Sequence, residues 1–329
     1  MNSKIKKSKK IPKEFLPRTV TALYTLNDGR IVIGGDTSLL IYSMKTYKVD
    51  INIELDNNKV KYILELNGNK LFYFSRCYET EGPHTDEYFY NNLIEITGNS
   101  YKDLTNILPS ESKYNIIREY SDKILFGGIS YSLKYNKDDK YYITNVLGEK
   151  RIEKILLQDK YQIINSINID FIDFILLNKN LIAVLLINKL EIYDTNELIK
   201  IKSSKNISNL YTYTKMAYFS ENLIIIGTTK NIEIFDYKNF MTVKTIFCIY
   251  PIKKIFVNKN KLFIGESSNY NYSNDKAQSI ISEYEIDENG SYKQIDTFNN
   301  THKYELIDFT QVDDGRLITT DSCDVKIWS

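Results

Sequence analysis

DDGRLITTDSCDVKIWS, Asp313 to Ser329, decides how the chain is read. It has the order turn, strand, turn, strand, with a glycine in the first turn to supply a positive φ. Near the other end, NDGRIVIGGDTSLLIYS, Asn27 to Ser43, has the same length and the same order of turn and apolar segments. Copies of one unit at both ends make a repeat protein the first reading.

Composition narrows the class. The chain has 329 residues, enough for two ordinary domains or one large all-β domain. Ile, Lys, Asn and Tyr are abundant, and the β-branched and aromatic share favours strands. The net charge of +1 argues against a general polyanion binder. Charge is unevenly placed, however. Lys4, Lys6, Lys7, Lys9, Lys10 and Lys13 make the first thirteen residues +6, which leaves residues 14 to 329 at −5. Cys77, Cys248 and Cys323 are far apart and lack CxxC or Cys/His spacing, so they read as reduced thiols with no zinc site. No apolar segment follows the basic start, and the most apolar run, Leu181 to Ile187, is too short to cross a bilayer. The sequence therefore reads as having no signal peptide and no membrane span. A cytoplasmic location is expected, and nothing bars the nucleus.

The first unit divides into strands Val20 to Leu26, Arg30 to Gly34, Ser38 to Tyr42 and Val49 to Leu55, separated by Asn27-Asp28-Gly29 and Gly34-Gly35-Asp36. One such sheet cannot bury both faces, and stacking further copies solves this. An aromatic ending the third strand marks the copies: Tyr42, Tyr135, Tyr193, Phe235, Tyr284 and Trp328. Gly29 to Tyr42, Asp122 to Tyr135, Asn180 to Tyr193, Asn222 to Phe235 and Gly315 to Trp328 are each thirteen residues. A further unit fits with Lys70 to Phe74 as second strand and Leu93 to Ile96 as third, making seven. Two insertions, Arg76 to Asn92 and Ser267 to Ser279, separate strands two and three of their units. Gly148 to Asn165 is open to three readings: a long outer strand, a short helix, or part of a degenerate extra unit.

Four strands per unit and seven units describe an all-β, seven-bladed propeller of four-stranded antiparallel blades. Residues 1–9 are expected to be a basic disordered tail and 10–329 a single domain. The last unit stops at its third strand, so residues near Lys10 to Arg18 are expected to supply its outer strand and close the ring. The sequence then resembles the WD40 repeat family in divergent form. His302 lies thirteen residues before Gly315, Ile327-Trp328-Ser329 stands where the family has its Trp-Asp, and Tyr193-Asp194 and Phe235-Asp236 are conservative versions. The resemblance implies a partner-binding scaffold without catalytic residues. It also implies a structural network of His302, Thr320, Asp321 or Asp324, and Trp328.

Candidate chemistry is sparse. His302 is read as a structural histidine in preference to a base or ligand. His84 sits among acids and tyrosines, as a solvated loop or as a site for a cation or basic peptide. Asp170 and Asp173 lie three apart on a predicted strand and point to opposite faces. Two histidines give no catalytic triad, and Gly34-Gly35 and Gly127-Gly128 lack the Lys of a phosphate loop. No catalytic, cofactor or metal site is expected. Strand connections two to three and four to one share a face, which becomes the expected docking surface for other proteins. Tyr78, Tyr88, Phe89 and Tyr90 are its candidate anchors. The alternative is a nucleic-acid or acidic-surface binder acting through the basic tail.

Overall fold

The computed structural model describes residues 8–55, 58–66, 69–81, 84–105, 112–120, 123–130, 149–157, 161–169, 171–178, 180–187, 189–204, 215–229, 231–268, 277–299 and 302–329. At 77–81, 84–89, 112–120, 123–130, 149–157, 161–166 and 168 it describes the backbone alone.

The chain is all-β. After strand β1 (Ser8–Lys10) and a 3-10 turn at Lys13–Phe15 come six antiparallel sheets, each of four consecutive strands. The first holds β2 (Val20–Thr25), β3 (Ile31–Gly35), β4 (Ser38–Ser43) and β5 (Lys48–Glu54). The second holds β6 (Lys59–Leu66), β7 (Lys70–Glu81), β8 (His84–Thr97) and β9 (Ser100–Asp103). The third holds β10 (Ser112–Tyr120), β11 (Lys123–Ser130), β12 (Glu149–Leu157) and β13 (Tyr161–Asn168). The fourth holds β14 (Asp173–Asn178), β15 (Leu181–Leu185), β16 (Leu190–Asp194) and β17 (Lys200–Ser203). The fifth holds β18 (Lys215–Tyr218), β19 (Leu223–Gly227), β20 (Asn231–Asp236) and β21 (Met241–Phe247). The sixth holds β22 (Ile252–Asn258), β23 (Lys261–Ser267), β24 (Ser279–Ile286) and β25 (Tyr292–Asn299).

The closing sheet joins β26 (Asp308–Gln311), β27 (Leu317–Thr320) and β28 (Val325–Trp328) to β1. Ser8 pairs with Trp328 and Lys10 with Lys326, so the closing strand is Ser8–Lys10 and lies mostly before the expected Lys10 to Arg18. The inner strands contact one another in the order β2, β6, β10, β14, β18, β22, β26 and back to β2, which makes a ring around a central channel. Apolar clusters fill the spaces between sheets. Leu40 and Tyr42 of the first sheet pack with Ile318, Val325 and Ile327 of the closing sheet, and Ile11 joins them from the N-terminal segment. Phe309 of the closing sheet packs with Phe263 and Ile281 of the sixth. The closing sheet thus buries one face on the first sheet and the other on the sixth, which no single unit achieves.

Local chemistry explains why the two ends match. In both turns the glycine has positive φ, Gly29 at 84° and Gly315 at 88°. The Gly29 N–H donates to Leu26 O and that of Gly315 to Val312 O, both at 2.9 Å. Asp28 and Asp314 each accept the N–H of the arginine two residues on and pair with its guanidinium. The residue after the third-strand aromatic also has a physical role. Asp194 Oδ1 accepts the N–H groups of Asn196 and Glu197, Asp236 Oδ1 those of Lys238 and Asn239, and Ser43 Oγ those of Lys45 and Thr46. An Asp or Ser there folds the turn that leads to the outer strand.

The third sheet departs from expectation. Its third strand is Glu149–Leu157 and its outer strand Tyr161–Asn168, so RIEKILLQDKYQII is a hairpin of strands three and four. The expected anchor Tyr135 lies outside the described residues. In four sheets the outer-strand pairing shifts register at the anchor aromatic, at Tyr42, Tyr193, Phe235 and Tyr284. In the third sheet the same shift falls at Ile155. The anchor position there is aliphatic, so a search for aromatics passes over it.

Arg76 to Asn92 is likewise not a separate insertion. β7 and β8 run straight through it, paired from Lys70↔Glu95 to Glu81↔His84. The neighbour β6 pairs with β7 only as far as Arg76, so residues 77–81 and 84–88 form a two-stranded arm beyond the sheet. The backbone of His84 accordingly lies on a strand where a loop was expected. In the sixth sheet, the Ser268 N–H donates to Gln278 O at 2.8 Å at the base of the other insertion, and residues 269–276 lie outside the described residues.

Candidate binding face

Connections two to three and four to one lie at the same end of the sheets, which is also the end where each inner strand begins. Three features meet on this face: a buried polar network in the closing sheet, the mouth of the channel, and the arm of the second sheet.

The network centres on Thr319. Its hydroxyl lies 2.7 Å from His302 Nε2 and accepts the indole N–H of Trp328 at 2.8 Å. Nδ1 of His302 stands 3.5 Å from Asp321 Oδ2, and Asp321 Oδ1 accepts the N–H groups of Cys323 and Asp324. The sequence reading placed Thr320 in this network. Thr320 instead points its hydroxyl at the carbonyls of Asp321 and Asp324, because alternate residues of a strand face opposite ways. Of the two expected aspartates, Asp321 faces the imidazole, and Asp324 pairs with Lys10 Nζ at 2.6 Å.

Burial lowers the pKa of His302, and the nearby Asp321 only partly offsets this, so the ring is neutral. Burial alone would raise the pKa of Asp321. The approach of His302 and the two N–H donors outweigh it and bring the carboxyl down to about 2. His302, Thr319 and Asp321 are buried, and Asp321 holds the N–H groups of Cys323 and Asp324, so the network positions the β27–β28 turn. The corresponding turn of the first sheet holds Asp36, 2% exposed, which accepts the Thr19 N–H and pairs with Arg18.

The channel mouth was not anticipated. Asp173 and Asp308 open β14 and β26 in the repeated tripeptide Ile-Asp-Phe, residues 172–174 and 307–309. In both, Oδ1 accepts the N–H of the following Phe, and Oδ2 accepts an N–H of the next inner strand, Met216 or Leu23, all at 2.8 Å. Other side chains also step from one inner strand to the next. Thr21 Oγ1 donates to Val60 O at 2.6 Å, Lys215 Nζ to Lys253 O at 3.0 Å, Lys254 Nζ to Asp308 Oδ1 at 2.5 Å, and Lys253 pairs with Glu305 at 3.1 Å. The pairing of inner and second strands shifts register at Thr21, Lys61, Asn115 and Lys253, a bulge that recurs near the start of the inner strand. The repeated Ile-Asp-Phe was the available signal. Read as a single strand, Asp170 and Asp173 concealed it, since Asp170 lies outside the described residues and the match to Asp173 is Asp308.

Of the expected anchors, Tyr78 and Tyr88 occupy backbone positions in the arm, opposite Glu87 and Cys77, and Phe89 lies at its base opposite Arg76. Tyr90, opposite Ser75, is 41% exposed. The basic tail is partly spent on closure. Lys9 Nζ stands 3.8 Å from the centre of the Tyr47 ring, and Lys10 pairs with Asp324. Lys13 is in the 3-10 turn, and Lys4, Lys6 and Lys7 lie outside the described residues. Among the described residues no helix is long and apolar enough to cross a membrane.

No protein-family model matches the chain, and no curated protein does. Solved structures do. A chain of the mitotic checkpoint complex crystal structure aligns over 98% of this chain and 90% of its own length, with TM-score 0.68 and 12% identity. The WD40 β-propeller domain of Doa1 aligns over 94% and 93%, with TM-score 0.63 and 10% identity. The chain folds as a WD40-type β-propeller. Saccharomyces cerevisiae Sqt1 matches over 99% of this chain and 98% of its own, with TM-score 0.61 and 12% identity. These likenesses extend over the whole ring, so the propeller accounts for the chain from β1 to β28.

Proposed function

We propose that this propeller is a non-catalytic, intracellular scaffold that docks a partner protein on the face carrying the channel mouth and the arm. One observation carries the reading. The β7–β8 arm runs past the edge of its sheet on that face, with strands of 12 and 14 residues where the other sheets use 3 to 9. A paired arm offers aromatic positions at low entropic cost, as interface anchors require. The likeness to a chain of a multi-protein checkpoint complex supports a scaffold role. His302, the histidine whose side chain is described, is buried 2.7 Å from Thr319, which argues against its use as a surface base. Free thiols at Cys248 and Cys323 fit a reducing compartment. The nucleic-acid alternative is weakened because Lys9 and Lys10 are held in the ring closure.

The test is to replace residues 77–88 with an Asn-Gly turn, which keeps the Arg76↔Phe89 pair and closes a short hairpin. Partners that co-purify with the full chain should be lost and thermal stability kept. Unchanged partners would count against the arm.

A further inference from the structure

Among the described residues, lysines outnumber carboxylates at the starts of the inner strands: Lys59, Lys61, Lys113, Lys215, Lys253 and Lys254 stand against Asp173 and Asp308. Both aspartates are already occupied by backbone N–H groups, and Asp308 also holds Lys254. Lys253 is matched by Glu305. The Lys215 ammonium donates to a neutral carbonyl, Lys253 O. Lys61 sits at a bulge beside Lys59 and Arg76, and no carboxylate of a described residue pairs with it. Lys61 and Lys215 stand on different sides of the ring, three inner strands apart.

We propose that an acidic peptide segment of the docked partner lies across the channel mouth, with one carboxylate on Lys215 and another on Lys61. This rests on the docking reading and names its chemistry. Burial lowers both ammonium pKa values; at Lys61 the adjacent Arg76 and Lys59 add to this, and at Lys215 Lys254 adds to it while Asp308 and Asp173 pull the other way. A carboxylate placed there gains charge-assisted hydrogen bonds and relieves that repulsion. The lysines ring a mouth and do not form a stripe that would track a phosphate backbone, so a peptide suits the geometry better than a nucleic acid.

The experiment measures binding of a fluorescein-labelled oligo-glutamate peptide to the full chain by anisotropy at low salt. Oligo-asparagine and a single-stranded oligonucleotide of equal charge serve as comparators. Oligo-glutamate should bind and the other two bind far more weakly. Lys61→Gln with Lys215→Gln should weaken it by roughly tenfold or more, since each cation near a charged ligand contributes substantially. Lys45→Gln, on the opposite face, should leave it unchanged. Thermal melts report folding, and single Lys61→Gln, at an exposed bulge, serves if the double variant melts early. Equal affinity in the lysine variants would overturn the proposal, because the N-terminal tail would then account for binding. Preference for the oligonucleotide would overturn it in favour of a polyphosphate ligand. If oligo-glutamate fails while the arm-shortened chain still loses its partner, the acidic-segment proposal falls and the docking reading stands. If oligo-glutamate binds as expected and the partner survives removal of the arm, the docking reading fails at the arm.

Discussion

Arg316 Nη1 donates a 2.9 Å hydrogen bond to the phenol oxygen of Tyr47, joining the last sheet to the first. The same ring carries Lys9 Nζ over its face, so Tyr47 touches both the closing strand β1 and the turn that leads into β27. Tyr47 holds this place at φ 56°, a left-handed value that costs a tyrosine energy and is repaid only if its contacts count. Tyr47→Phe removes the hydroxyl alone and is expected to cost about 0.5–1 kcal/mol, the low end for a half-exposed bond. Deleting residues 1–11 removes β1 and the buried Ile11, leaves the edge of β28 open, and should cost several times more. Urea unfolding of the two variants measures the difference, and equal losses would show that closure does not depend on β1.

The closing network predicts an acid limit. His302 is neutral in the folded chain and takes up a proton in the unfolded chain below about pH 6.5, so stability declines as pH falls through that value. Asp321 titrates near 2 when folded and near 3.8 when unfolded, so its contribution is complete above pH 3.8 and is lost toward pH 2. Asp321→Asn should flatten the lower part of this profile. Thr319→Val keeps the shape but leaves His302 and Trp328 without their shared hydroxyl, at about 1–3 kcal/mol. Chemical denaturation from pH 7 to pH 2 checks both.

Gly35 and Pro17 make a third test. A Cβ on Gly35 would lie 2.3 Å from Pro17 Cβ and 2.5 Å from the Thr19 carbonyl, so the N-terminal segment would have to move. Gly35→Ala is expected to destabilise by about 1–3 kcal/mol by overpacking. Gly29→Ala meets no atom within 4 Å, and its cost comes from φ 84° alone. Thermal melts of the pair separate crowding from backbone strain.

These positions also show what the sequence made legible. Asn-Asp-Gly and Asp-Asp-Gly set the turns through local hydrogen bonds, so the matched ends of the chain could be read directly. An aromatic followed by Asp or Ser marks a third strand because the polar residue folds the next turn. Ile155 takes the anchor place in the third sheet, and packing between sheets accepts an aliphatic there, so the pattern gave no warning. The arm was read as an insertion because its residues are polar and aromatic. Pairing along a hairpin needs backbone groups and a turn, and no apolar stripe. The channel mouth stayed hidden for another reason: its charges come from inner strands far apart in the chain, and only closure of the ring brings them together.

The Ile-Asp-Phe copies at 172–174 and 307–309 allow the last test. Asp173 and Asp308 make the same pair of backbone contacts, and Asp308 also binds Lys254. Asp173→Ala should leave the N–H groups of Phe174 and Met216 unpaired, at about 1–3 kcal/mol each if no water replaces the carboxylate. Asp308→Ala strands the matching N–H groups of Phe309 and Leu23 and leaves Lys254 unmatched beside Lys215, which burial already disfavours as a cation. The part of its cost that comes from Lys254 should disappear in a Lys254→Met background. A double-mutant cycle on Asp308 and Lys254 isolates that part. A coupling near zero would mean that the ammonium is satisfied by solvent in the channel and that Asp308 serves only the backbone.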